Sequence, residues 1–310
     1  MSKLFTETAL IAIVGSGIRY AVPLLIASLG EMYGQRSGVL NLGVDGVMLL
    51  GAFGGYYGVL RSGSVWLGLV IGILVGLVFG VITAVMSVTL KAEQGISGIG
   101  VYLFGLGFSD LLFQKWVGTP LPIPSFPKLA IPGLSSIPVI GEMLFQQSFI
   151  VYLAFAAIPL SMFIINRTTF GMKIRAVGEN PEAADSLGVS VARVRYATLM
   201  IGGALSGVAG AALAIDLKIF QQNLTNAAGF IAIALVYFGA WRPLGVMAGA
   251  LLYGFVNSIV VQLKTLGLIP RSWSDIAAMA PAVVTILALV VVAQRFRAPS
   301  ALTKPFERGT

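Results

Sequence analysis

The chain has 310 residues, of which 57% are hydrophobic and 10% charged, with a formal net charge of +8; its mean hydropathy is +0.93. An ordinary soluble domain carries roughly 25% charged residues, so the composition excludes a water-soluble globule and makes the bilayer the solvent. The positive charge does not point to nucleic acid, because Lys and Arg are scattered between apolar runs and form no stripe interleaved with aromatics.

Two absences narrow the chemistry. With no His and no Cys the chain has no Ser-His-Asp or Cys-His arrangement, no thiolate metal site and no disulfide. No Gly-x4-Gly-Lys-Ser/Thr segment occurs, so the usual phosphate-cradling loop is missing and any ATP consumed must be hydrolysed by another chain. No catalysis, metal or cofactor is expected of one membrane domain covering residues 1–310.

Apolar stretches near the ~20 residues that cross a bilayer recur along the chain and predict an all-α, polytopic transmembrane helix bundle. About nine spans are predicted, within a range of eight to ten: 8–29, 39–60, 65–90, 96–114, 148–165, 196–215, 227–241, 243–263 and 276–294. The first has no cleavage-like end and is expected as a retained helix. After it comes Gly34-Gln35-Arg36-Ser37-Gly38, then Asn41, Gly43, Asp45 and Gly46 inside an otherwise apolar stretch. A carboxylate at membrane depth costs about 2.5 to 3.5 kcal/mol on insertion scales, so Asp45 should face a cavity or a partner. Asn41 and Asp45 are expected to line the substrate pathway; the other reading has Asp45 capping backbone amides at a helix start. In the third span Gly68, Gly72, Gly76 and Gly80 recur every fourth residue, as Gly202, Ser206 and Gly210 do later, which predicts close helix packing. Asp110 is expected at the membrane interface.

Residues 115–147 are read as a loop, within which Gly118 to Gly141 carries Pro120, Pro122, Pro124, Pro127, Pro132 and Pro138 and cannot form a regular helix. It is read as external, either a surface for an outside partner or a cover over the bundle. Arg167, Lys173, Arg175, Arg193 and Arg195 mark residues 166–195 as cytoplasmic, and Arg295, Arg297, Lys304 and Arg308 do the same for the tail, 295–310. Four spans separate these regions, which puts them on one side and the N-terminus outside.

A second interruption follows the sixth span, from Asn223 to Gly229 and again at Trp241-Arg242-Pro243. Arg19-Tyr20-Ala21 and Arg195-Tyr196-Ala197 precede the two interruptions. Paired broken helices predict an inverted repeat of 8–60 on 196–263, with the breaks marking a transport path. Tyr253 and Asn257, one helical turn apart, are further candidates for that path, although interhelical hydrogen bonding would also account for Asn257.

The segment 167–195 carries the strongest local signal. Asn180 suits an N-cap, Pro181 the first helical position, Glu182 the positive helix end and Gly188 the stop. A two-turn helix is expected, with Ala183, Ala184 and Leu187 as a small apolar docking face.

Thr169-Phe170-Gly171, Arg175-Ala176-Val177-Gly178-Glu179-Asn180-Pro181 and Ala183-Ala184 resemble the coupling region of permease subunits in the ATP-binding cassette importer family that includes ribose, branched-chain amino-acid and nucleoside permeases. The stretch from Arg36-Ser37-Gly38 to Asp45-Gly46-Val47-Met48, and Phe238-Gly239 with Trp241, Pro243, Leu244 and Gly245, look like the nucleoside branch. That branch usually has Glu where this chain has Gln35 and Asp45; the first change removes any ion pair from that position. The resemblance implies a nucleoside importer permease with ATPase-coupling residues Gly171, Arg175, Gly178, Glu179, Asn180, Pro181, Ala183, Ala184, Leu187 and Gly188. Its implied partners are cytoplasmic ATP-binding subunits, a second homologous permease or a second copy, and an external substrate-binding lipoprotein. A simple-sugar or branched-chain amino-acid permease is the alternative within the family, and an ion-coupled secondary transporter or a membrane scaffold the alternatives outside it.

Overall fold

The structure is a computed structural model that describes residues 7–137, 140–293 and 297–307. Pro138, Arg295 and Arg308 lie outside the described residues. In hydrocarbon every backbone polar group needs an internal partner, and the chain answers with helices. They are α1 (Glu7–Arg36), α2 (Val44–Ser62), α3 (Val65–Ala84, continued by a π-helical turn over Val85–Thr89), α4 (Gln94–Trp116), α5 (Ile140–Leu144), α6 (Phe149–Arg167), α7 (Thr169–Glu179), α8 (Pro181–Ser186), α9 (Val191–Leu217), α10 (Ala228–Phe238), α11 (Pro243–Thr265), α12 (Ser274–Ala278) and α13 (Ala280–Ala293). Their starts are set locally: Ser64 caps α3, Ser190 caps α9, and both carboxylate oxygens of Glu93 accept from the first amides of α4.

Among the described residues seven helical stretches are long and apolar enough to cross a membrane, not the predicted nine. The predicted span 39–60 loses its first residues to a break, since α2 begins only at Val44; the span 227–241 shrinks to α10, which ends at Phe238. An 11-residue helix rises only about 16 Å, half a hydrocarbon core of about 30 Å. Helix α2, with 19 residues, is as long as α6 but less apolar than the seven, and almost every one of its residues from Val44 to Tyr56 is buried.

Glycine decides the tightest contacts. A methyl group on Gly76 would overlap the carbonyl of Gly203, and one on Gly207 the carbonyl of Gly72, so α3 and α9 meet backbone to backbone in antiparallel sense. On the other side Gly254 of α11 meets Gly17 and Ala21 of α1 in the same manner, with Ser16 and Ser258 hydrogen-bonded at 2.6 Å.

The packing has an internal symmetry. Exchanging α1 with α9, α2 with α10, α3 with α11 and α4 with α13 maps the pairs α3–α9, α2–α9, α2–α3 and α2–α4 onto α1–α11, α1–α10, α10–α11 and α10–α13, all of which are packed. In this pattern of neighbours the two interrupted helices, α2 and α10, take corresponding places. The shared Arg-Tyr-Ala tripeptide does not mark that equivalence: Arg19 sits mid-way along α1, whereas Arg195 is near the start of α9.

Two faces result. On one, β1 (Lys128–Ala130) pairs antiparallel with β2 (Gln146–Ser148), so the proline-rich segment is not all irregular. Tyr56 donates to the Leu121 carbonyl at 2.9 Å and holds the segment down. On the opposite face the tail meets α7, the end of α1 and the start of α9: Ala301 N–H donates to the Gly178 carbonyl at 2.9 Å, Thr303 N–H to the Gly38 carbonyl at 3.2 Å, and Arg195 Nη1 to the Lys304 carbonyl at 3.1 Å. The basic segment and the basic tail share this face.

Candidate functional site

The break between α1 and α2 is held by buried polar groups. Asn41 Oδ1 accepts from the Gly43 amide at 2.9 Å, and Asn41 N–H donates to Glu31 Oε1 at 3.1 Å. Gln35 Nε2 donates to the same Glu31 oxygen at 3.0 Å, while Gln35 Oε1 accepts from the Trp241 indole at 2.8 Å. Gln35 thus links the first break to the second through an amide, where a carboxylate could not donate to Glu31. Glu31, only 3% exposed, is a buried carboxylate that sequence reasoning missed, since only Asp45 stood out there as one.

Asp45 is wholly buried and joins the two halves. Its Oδ1 accepts from the Gly229 amide at 2.7 Å and its Oδ2 from Thr225 Oγ1 at 3.0 Å. Helix α10 starts after Ala227, a left-handed residue with no side-chain cap of its own. Asp45 therefore supplies the missing cap from another helix, satisfying the Gly229 amide, which in hydrocarbon has no water to turn to. Gly229 permits this approach, because a methyl group there would strike the Asp45 backbone.

A cavity of about 510 Å³ opens on the proline-rich side of the molecule, between α1, α6, α9, α10 and α11. Tyr253 and Asn257 line it, together with Arg19, Tyr20, Asp216 and Asn226. Asn41 and Asp45 do not; Asp45 reaches its edge only through Thr225. Arg19 and Asp216 went unselected in the sequence, although a charge inside an apolar run was the available signal. Asp216 makes no hydrogen bond among the described residues, and the positive charges of Arg19 and Lys218 act on it. Pro23 also lines the cavity and, lacking an N–H, leaves the Arg19 carbonyl without its helical donor. The lining thus offers a carboxylate, a guanidinium, amides and two phenol rings to a small polar ligand with a flat face.

On the basic face α8 is built as expected: Asn180 Oδ1 accepts from Ala183 N–H at 3.0 Å, Pro181 opens the helix, and Gly188 follows it at φ +81°. The expected docking face needs correction. Ala184 is 3% exposed and turns toward its own chain, while Leu187 is 84% exposed and Ala183 is exposed beside it. The stretch before α8 is not a loop but α7, capped by Thr168. Gly171 and Gly178 are close-approach positions: a methyl group would overlap the Ile164 and Ile165 carbonyls in the first case and the Arg36 carbonyl in the second. Gly178 thereby ties α7 to the end of α1, next to the break. Arg175 and Glu179 lie on the exposed side of α7, where Glu179 accepts from Ser300 at 3.0 Å.

Comparison with known proteins agrees with this architecture. Residues 13–292 match the family model described as branched-chain amino acid transport system / permease component. The chain is 35% identical over 309 residues to the guanosine ABC transporter permease protein NupQ of Bacillus subtilis, covering 96% of this chain and 97% of that protein. It is 34% identical to the nucleoside ABC transporter permease protein NupC of Lactococcus lactis, covering 93% and 94%. A putative glucose ABC transporter permease protein, TsgC13 of Haloferax volcanii, is 37% identical over 261 residues, covering 83% of this chain and 79% of that one. No solved structure matches the chain. This bundle of membrane-crossing helices, matched over nearly its whole length, belongs to the branched-chain amino acid transport system / permease component family and is a multi-pass permease subunit of an ABC importer in the cell membrane.

Proposed function

We propose that this permease takes up nucleosides, that the cavity between α1, α9, α10 and α11 is part of their path, and that α8 receives the stroke of a separate ATPase. The observation that carries the cargo is the near full-length similarity to two nucleoside permeases. The cavity supports it: a nucleoside has a flat base and a ribose rich in donors, and Tyr20, Tyr253, Asp216, Asn226 and Asn257 offer faces and acceptors for both. Asn41 and Asp45 serve that path by fixing the two breaks against each other, with Glu31 and Gln35 as their support.

Positive charge orients the molecule. The basic face carrying residues 166–195 and the tail lies in the cytoplasm, and the proline-rich segment 115–147 lies outside, where it faces a substrate-binding lipoprotein. In the cytoplasm Leu187 and Ala183 dock in a groove of an ATP-binding subunit, with Arg175 and Glu179 at its margin. Gly178, pressed on the end of α1, passes the displacement of α7 and α8 to the break. A second permease subunit, homologous or identical, completes the pathway.

A simple sugar is the second reading, favoured by the similarity to the glucose permease protein, which covers less of the chain. Deleting this subunit and measuring uptake of labelled guanosine, glucose and leucine separates the readings. Loss of guanosine uptake alone supports the proposal; loss of glucose or leucine uptake with guanosine intact refutes it.

A further inference from the structure

On the basic face a cavity of about 680 Å³ lies between the ends of α1 and α6, helix α7 and the turn from α10 to α11. One side is cationic, with Arg36, Arg175 and Arg242; the other is apolar, with Met162, Ile165, Phe238 and Leu244. A smaller space of about 170 Å³ shares Arg36 and Arg175 and adds Arg297, with Glu179 as its one carboxylate. That carboxylate accepts from Ser300 and its charge also acts on Arg36, although neither Arg36 nor Arg175 lies within ion-pair distance of a carboxylate among the described residues. Arg175 and Arg242 both repel Arg36 and only Glu179 acts on it with the opposite sign, so the space favours an anion. The backbone adds to the field: α11 starts here with no side-chain cap, so the positive end of a long helix opens on the same space. Arg36 is fixed in place by its Nε, which donates to the Trp241 carbonyl at 2.9 Å across the turn.

We infer that this cavity binds the phosphate of an anionic phospholipid headgroup, with one acyl chain along its apolar side. A guanidinium cluster suits phosphate oxygens because each Arg presents a fork of donors. A free phosphate shares that chemistry, but it has no use for the apolar wall, whose Leu244 is half-exposed and whose neighbours on α6, Leu160 and Phe163, are exposed as lipid-facing residues are. Basic pockets at the cytoplasmic ends of membrane helices sit where anionic lipid is enriched. Because Arg36 and Arg175 belong to the end of α1 and to α7, the bound headgroup links the coupling segment to the break, in addition to the packing at Gly178.

The test is native mass spectrometry of the purified full chain, titrated with dioleoylphosphatidylglycerol or dioleoylphosphatidylcholine. The unsubstituted protein should retain one phosphatidylglycerol in preference to phosphatidylcholine. The pair Arg175→Gln and Arg242→Gln should bind it about thirtyfold more weakly, since each basic residue contributes roughly fivefold near an anionic surface. Lys173→Gln with Arg193→Gln removes the same charge from exposed positions outside the cavity and should change binding by less than about threefold. If the first pair does not extract as folded protein, Arg242→Gln alone should weaken binding about fivefold. Equal binding of the two lipids, or equal loss in both pairs, overturns the site. Displacement of the lipid by millimolar inorganic phosphate overturns the lipid assignment in favour of a free anion.

Discussion

Leu187 is the most exposed large apolar side chain in the coupling segment, and replacing it by Glu probes the mechanism without touching the bundle. It is 84% exposed in the isolated chain, so nearly all the gain from burying a Leu, about 1.5 to 3 kcal/mol, is still available for docking. Glu forfeits that gain and adds the cost of desolvating an unpaired carboxylate, about 1 to 3 kcal/mol or more. The sum, roughly 4 kcal/mol, weakens ATPase docking about a thousandfold. The assay is co-purification of the ATPase with tagged permease, together with ATP-driven uptake in proteoliposomes. Both should fail while thermal unfolding of the permease is unchanged. Ala184 is unsuitable for this purpose, because a charge there would be buried inside the chain itself. Ser190 is no control either, since its Oγ caps α9 by accepting from Arg193 N–H. Ala192→Glu, exposed in the first turn of α9 where an acidic residue is favourable, is the control. Normal docking and uptake with Leu187→Glu would show that α8 is not the docking element.

Other consequences follow from single contacts. Asp45→Ala removes two hydrogen bonds at the start of α10 and leaves the buried Gly229 amide unpaired, which should lower stability by roughly 3 kcal/mol, whereas Thr225→Val should cost about 1; equal melting of Asp45→Ala and the unsubstituted protein would refute the cap. Asp216→Asn should raise the KM for guanosine about tenfold at unchanged membrane content; an unchanged KM would remove Asp216 from the path. The N–H groups of Ile96 and Gly95 hold the Glu93 carboxyl below its ordinary 4.5. Its cap is therefore fully present above pH 4.5 and lost as pH falls through the lowered value. Glu93→Gln should melt lower than the unsubstituted protein at neutral pH and alike in strong acid; a constant gap across pH would contradict the assignment.

The membrane class, most of the spans and the caps of α8 were legible because they depend on local composition and spacing. Asn180, Pro181 and Gly188 act within a few residues of one another. Asp45 was legible as an anomaly but not as the cap of α10, because Thr225 and Gly229 lie far along the chain and nothing local joins them. Glu31 was hidden by its own helix, where a Glu costs no helix propensity and leaves no gap in the pattern. Helix α7 was missed because Gly171 and Gly178 lower helix propensity, and their reason for being glycine is a neighbour's carbonyl rather than their own conformation. The inward turn of Ala184 is a tertiary fact that a helical spacing of apolar residues cannot distinguish from an outward one.

The most direct measurement is transport by the assembled complex. Permease, ATPase and binding protein are reconstituted in proteoliposomes, with ATP on the face carrying α8 and labelled guanosine with its binding protein on the other. ATP should drive guanosine across, with uptake abolished by Leu187→Glu and unaffected by excess glucose or leucine. ATP-dependent movement of glucose or leucine with no movement of guanosine would contradict the cargo, and guanosine movement that does not require ATP would contradict the mechanism.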